Sequence, residues 1–303
     1  MTEVIDKLHG EQRSKLKITN CLGSMGGDCF LIRGKGANIL VDSGFAFCAK
    51  DAVEKIKEEL QDESLDFVLL THSHYDHAMG IPAVRKAFPE VKVIGSEYCN
   101  YILTKPTAKE KIYEMDCKAA KAYKKEPSEN LTELLYCDIT LQDNEEIALG
   151  KETVRGFAFP GHTRCCMGFY FTEEKLLVSC ETLGIYANNM KVFPGCLIGY
   201  EMTLDAIDKA LSLGAEEILI PHSGILYGKD IETYLNESKR VTTECMELIV
   251  KAHKQGKDFD GIVETYKKHY YSESIRESYP EHALMANLSA QIPMFIRECG
   301  EGK

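Results

Sequence analysis

Three histidines and an aspartate fall within six residues in the run Thr71-His72-Ser73-His74-Tyr75-Asp76-His77. Imidazole nitrogens and carboxylate oxygens are the donors that zinc, iron and manganese accept. His72 and His74 are two apart, so on extended backbone their side chains point the same way. Asp76 and His77 follow where the chain turns toward a helix. A lone histidine at a strand end is more often structural, but three of the nine in this chain packed beside an aspartate read as metal ligation. Two more histidines, His162 and His222, each follow a predicted strand, as the cluster does. Glu181 closes another predicted strand, where a carboxylate is placed to bridge two cations. Ligands distant in sequence that meet at one sheet edge are what a binuclear site requires.

Such residues need a sheet to deliver them. Residues 29–33 and 38–42 read as two strands joined by the turn Gly34-Lys35-Gly36-Ala37. Val53, Ile56 and Leu60 give residues 50–60 a helical period. Residues 66–70 form a buried strand leading into the histidine run, 78–88 a helix and 91–95 the next strand, an α/β order. Residues 97–136 read as a mostly helical insertion. Further strands are predicted at 154–159, 167–172, 175–180 and 217–220, with a helix at 203–213 ended by Gly214. Residues 230–299 read as helices only, with breaks near Gly256 and Pro280, which places a boundary near residue 228 between a domain of residues 1–228 and a helical segment of residues 229–303.

The bulk properties narrow the partners. A net charge of −11 with no basic run disfavours nucleic acid. No apolar stretch is long enough to span a bilayer, and the first residues lack the apolar core of a signal peptide, so a cytoplasmic protein without a membrane partner is expected. The twelve cysteines include no C-x-x-C pair. They are expected to be buried, reduced thiols rather than a zinc ribbon or a disulfide scaffold.

The run Thr71–His77 resembles the signature of the metallo-β-lactamase superfamily. Asp42-Ser43-Gly44, Pro160-Gly161-His162-Thr163 and the late His222 occur in that family's order, over about residues 18–228. The resemblance implies an α/β fold of the metallo-β-lactamase type, a four-layer αβ/βα sandwich, here with a C-terminal all-helical extension. It implies His72, His74 and His162 on one metal, Asp76, His77 and His222 on a second, and a bridging carboxylate at Glu181. Two departures stand out. The family usually has Asp where this chain has Glu181, and Cys180 beside it is also a competent ligand; strand alternation lets only one of the pair face the metals, and position favours Glu181. Relatives also often carry a glycine between the equivalents of Pro221 and His222. The layout of the insertion and tail is similar to that of the quinolone-signal-response thioesterase group, where C-terminal helices form a lid. Here they are expected to be either a lid or a homodimer surface.

The chemistry implied is hydrolysis. Two divalent cations, zinc foremost and iron or manganese as alternatives, make hydroxide available near neutral pH. Asp76 would orient the nucleophile and Tyr186 would donate to an oxyanion. The loop 182–199 is expected to line the pocket through Ile185, Tyr186, Met190, Phe193 and Pro194. A small acyl thioester, ester or lactone is the expected substrate. The alternatives are a small-molecule phosphodiester, or a weakly catalytic regulatory protein on the same fold. His74 stands where flavin-linked iron relatives typically carry Glu, which points away from that branch.

Overall fold

The apolar residues of the early strands alternate so cleanly that they dictate two packed layers. Leu31 and Leu40 face one way, into a cluster with helical residues such as Ile56 and Val84. Phe30, Ile32, Ile39 and Val41 face the other way, against Val154, Phe169, Phe171 and Leu219 of a second sheet. A strand with both faces covered must be apolar on both, which is why these runs read as continuous hydrophobic stretches. Phe169 and Phe171 are fully buried, each worth roughly 1.5–3 kcal/mol relative to exposure.

The computed structural model describes residues 14–22, 27–187, 191–276 and 279–300. The first sheet runs in chain order through β1 (Lys17–Asn20), β2 (Phe30–Arg33), β3 (Asn38–Val41), β4 (Phe67–Leu69), β5 (Lys92–Ser96) and β6 (Ile139–Leu141). The first three strands are antiparallel and the last four pair in parallel. Their crossovers carry α1 (Ala49–Leu60), the short α2 (Tyr75–Ala78), α3 (Ile81–Ala87), α4 (Glu97–Leu103) and α5 (Pro106–Ala122).

The second sheet contains β7 (Glu145–Leu149), β8 (Glu152–Ala158), β9 (Met167–Phe171) and β10 (Leu176–Val178). After a two-stranded ribbon, β11 (Ile185–Ala187) with β12 (Lys191–Phe193), and α6 (Tyr200–Ser212), it is completed by β13 (Glu217–Ile220) and β14 (Gly224–Tyr227). Its order is β14-β13-β10-β9-β8-β7, with only β10 and β13 parallel. α6 covers its outer face through Ala206, Ile207 and Ala210. The architecture is therefore helices, sheet, sheet, helices.

Beyond β14 the described residues form α7 (Lys229–Lys254), α8 (Phe259–Tyr270), α9 (Glu273–Arg276) and α10 (Glu281–Phe295), which runs into a π-helical turn, Ile296–Gly300. They share a core with the ribbon residues Ile185 and Phe193 and with Tyr200. Polar ties fix the same seam. Tyr234 Oη donates to Gly184 O at 2.6 Å and Gln291 Nε2 to Cys196 O at 2.9 Å. None of the described helices is long and apolar enough to cross a membrane.

The sequence-based elements differ from the structure in instructive places. The helix expected at 78–88 begins at Tyr75 and is interrupted at Gly80, where a Cβ would lie 1.9 Å from Ser43 O. The insertion is helical only through Ala122; beyond it, Lys124 has positive φ and a single 3₁₀ turn, Thr132–Leu134, follows. The sequence pattern predicts no element at β1, β6, β7, β14 or the ribbon. Most are three or four residues long and held by sheet neighbours rather than by pattern.

Candidate metal centre

Each ligand candidate stands just past the end of a strand, at one rim of the sandwich. β4 ends at Leu69, and Thr71 follows with its N–H and hydroxyl both donating to Asp42 at 2.8 Å. Asp42 has just left β3 with φ 54. Its Oδ2 also lies 2.8 Å from His77 Nδ1. Thr71 Oγ1 stands 3.1 Å from His72 Nδ1. With their Nδ1 atoms held from behind, His72 and His77 turn Nε2 inward, the usual way a protein orients metal-binding imidazoles.

His162 follows β8. Its N–H donates to Thr182 Oγ1 at 3.0 Å and its Nδ1 lies 3.0 Å from Gly195 O. Gly195 is packed so closely that a Cβ there would stand 1.6 Å from Glu181 O. One glycine thus orients His162 and fixes the backbone of Glu181. His222 occupies the reversal between β13 and β14 with φ 60.

Glu181 is the shared member. Its Oε2 lies 2.8 Å from His162 Nε2, 3.0 Å from His72 Nε2 and 3.5 Å from His77 Nε2; its Oε1 lies 3.2 Å from His222 Nε2. His162 Nε2 is 3.0 Å from His74 Nδ1, and Asp76 Oδ2 is 3.7 Å from His77 Nε2 and 3.8 Å from His222 Nε2. The donors form two adjacent groups, His72, His74, His162 and Glu181, and Asp76, His77, Glu181 and His222. All seven ligand positions expected from the sequence are brought together. Cys180 is turned away, with Sγ in an apolar cluster beside Phe159 and Leu183. The strand ends at Val178 and Glu181 heads a 3₁₀ turn, so the carboxylate enters from a shifted backbone rather than by strand alternation.

A cation fits these residues. His72 Nε2, His77 Nε2 and Glu181 Oε2 are buried without a hydrogen-bond partner, and each such orphan costs about 1–3 kcal/mol. Nitrogen and oxygen lone pairs that converge without protons aligned between them are satisfied together only by a positive centre. The electrostatics of the first group agree. Burial and the neighbouring imidazoles hold His72 well below the usual histidine range and lower His74 to about 4, leaving their nitrogens free to ligate. Burial opposes charge on His77 and His222 too, but there the carboxylates prevail. Asp76 and Asp42 raise His77, and Asp28 and Glu181 raise His222 to about 9. Burial likewise opposes charge on Glu181, yet the surrounding imidazoles, His162 first, hold it well below the carboxylate range.

Above the ligands lies a cavity of about 80 Å³ with Asp76 and His222 in its floor. Phe45, Tyr75, Tyr123, Ile185, Tyr186 and Phe193 form its walls, and Tyr279, Pro280, His282 and Ala283 close it from the C-terminal helices. Of the expected lining residues, Pro194 is buried outside the wall, and Met190 lies outside the described residues. Sequence reasoning missed the closing segment and Asp28. It named Asp42 for its motif, without the hold on Thr71 and His77.

Fold and site together define an αβ/βα protein with two adjacent His and carboxylate clusters consistent with a binuclear metal site. The family model described as Metallo-beta-lactamase superfamily matches residues 22–222, and the chain belongs to that superfamily. A metallo-beta-lactamase fold-containing protein of Sulfurisphaera tokodaii is 22% identical over 222 residues, 69% of this chain and 77% of that one. A flavo-diiron protein of Clostridium acetobutylicum is 25% identical over 168 residues, 55% of this chain and 36% of its own length. Hydroxyacylglutathione hydrolase of Bartonella tribocorum is 26% identical over 121 residues, 40% of this chain and 35% of that one. The matches thus span about a third of the latter two relatives. Among solved structures, a metallo-beta-lactamase family protein from Thermus thermophilus aligns with a TM-score of 0.63 at 18% identity, covering 94% of this chain and 93% of that one.

Proposed function

We propose that the protein is a metal-dependent hydrolase of a small acyl thioester, ester or lactone. The observation that carries this reading is the pair of ligand groups joined at Glu181, with orphaned buried donors facing a common space under an apolar cavity. His72, His74, His162 and Glu181 would hold one divalent cation, and Asp76, His77, His222 and Glu181 the other, with zinc the first expectation and iron or manganese the alternatives. When bound, such a pair supplies Lewis acidity and makes hydroxide available near neutral pH. Asp76, in both the cluster and the cavity floor, would orient the nucleophile and take its proton on the carboxylate. Tyr186, on the wall, would donate to the oxygen on which negative charge develops.

The cavity supports an uncharged acyl group. Its walls are largely aromatic and apolar, and no lysine or arginine is among the described residues lining it. A thiolate leaving group departs without a proton, so a thioester makes the least demand on this wall. The relatives named hydroxyacylglutathione hydrolase favour the same bond class. A volume of about 80 Å³ lies well below the roughly 300–1,000 Å³ of typical ligand sites, so Tyr279 to Ala283 must move to admit substrate. On this reading the C-terminal helices would act as a lid, as in the quinolone-signal-response thioesterase layout, and would exclude water once closed.

The test is metal analysis of protein purified without added metal, followed by a panel of thioesters, lactones, esters and phosphodiesters. Two metal ions per chain with acyl hydrolysis is the expected result. Turnover of phosphodiesters alone would overturn the substrate class.

A further inference from the structure

Asp28 contacts all three residues unique to the second ligand group, yet approaches them from behind. It sits in the link entering β2 and is 2% exposed. Its N–H donates to Asp76 O at 3.1 Å. Its Oδ1 accepts the His222 N–H at 2.7 Å. Its Oδ2, buried and without a hydrogen-bond partner, stands 3.6 Å from His77 Nδ1 and 3.9 Å from His222 Nδ1. These are the outer nitrogens of both rings, whose Nε2 atoms face Glu181. The approach is tight: a Cβ on neighbouring Gly27, which has φ +71, would lie 3.0 Å from both Asp76 O and the Phe45 ring.

His222 needs such a partner. Its φ of 60 lies in the left-handed region that L side chains rarely adopt. β13 and β14 pair up to Ile220 and Gly224, so only Pro221, His222 and Ser223 make the reversal. A non-glycine residue keeps that conformation only where its surroundings over-determine it. The buried Asp28 carboxylate accepts its N–H and is one such contact.

We propose that Asp28 is the positioning residue that assembles the second cation site. It fixes His222 in its left-handed turn and sets the spacing of Asp76 and His77 around the same point, and it does not act on the first site. The assignment rests on the binuclear reading above. The required feature is an acceptor aimed at the His222 N–H, which an asparagine side chain also provides.

The test is zinc stoichiometry and affinity by titration of chelator-treated protein, with circular dichroism to confirm folding. Wild type is expected to bind two zinc ions per chain. Asp28→Ala is expected to keep one at wild-type affinity and bind the second about 10–100-fold more weakly, the range for lost outer-shell partners. Asp28→Ser, whose hydroxyl falls short of the amide, is expected to behave like Asp28→Ala and serves if that variant fails to fold. Asp28→Asn is expected to restore both ions. Two ions at wild-type affinity in Asp28→Ala or Asp28→Ser, equal weakening of both sites, or an Asp28→Asn as weak as Asp28→Ser would overturn the assignment while leaving the binuclear reading intact. Fewer than two ions in wild type would overturn that reading and the assignment with it.

Discussion

Glu181 Oε2 stands 2.8 Å from His162 Nε2, and the two residues are locked together through a third, because Gly195 takes His162 Nδ1 on its carbonyl while leaving no space for a Cβ beside Glu181 O. The backbone of Glu181 therefore has no room to advance. Aspartate, the residue more usual in the family at this position, would withdraw the carboxylate by about 1.5 Å, one carbon–carbon bond. Glu181→Asp is expected to lose at least roughly tenfold in metal affinity and to lose turnover with it. Titration with zinc and an acyl-hydrolysis assay check both. Full metal loading in Glu181→Asp would show that this backbone yields more than its packing implies.

The same pair shows what was legible in the sequence. Six ligand candidates could be picked from side-chain type and strand-end position alone, since β4, β8 and β13 are apolar enough to be recognised as buried strands. Glu181 needed more. Strand alternation framed it as a choice against Cys180, but β10 stops at Val178 and a 3₁₀ turn intervenes. Turns of that kind are set by tertiary contacts such as Gly195, which lies far along the chain. Asp28 and the Tyr279–Ala283 segment were illegible for the same reason: their roles exist only once β2 and α10 are packed against the site.

His72 contributes to the first ligand group alone, and its outer nitrogen is already held by Thr71. His72→Ala is expected to lose the first metal and at least about a hundredfold in activity. Circular dichroism of the metal-free protein should be unchanged, because the sheet beneath is held by a hydrophobic core that includes Val68 and Leu70. Retained activity in a variant shown to lack that metal would remove the first site from the mechanism.

Ala283 allows the proposed substrate cavity to be tested apart from the metal ligands. It lines the cavity from the first turn of α10 and belongs to neither ligand group. Ala283→Trp is expected to fill a space of about 80 Å³, abolishing turnover of acyl substrates while two metals per chain remain bound. Unchanged kcat/KM with metals in place would mean that substrate enters elsewhere and that the cavity is not the binding site.

Asp116 offers a pH test that is read on the metal-free protein. It lies on α5, fully buried, with Oδ1 accepting the Ala46 N–H at 3.0 Å and Oδ2 without a partner. Burial, opposed by that hydrogen bond and aided by Asp76, raises its pKa from 3.8 to about 6. The sign follows from linkage: between those two values the folded protein holds the proton more tightly than the unfolded chain does, so stability falls as pH rises through the interval. Above pH 6 the native state carries a buried charge at a cost of up to roughly 3 kcal/mol, at 1.36 kcal/mol per unit. Asp116→Asn keeps the acceptor for Ala46 and removes the charge. In urea unfolding of metal-free protein, the variant is expected to be the more stable at pH 8, with the difference shrinking as pH falls and vanishing below about pH 4. A gain independent of pH would come from packing, and an absence of gain at pH 8 would mean that the buried carboxylate is compensated in the folded chain.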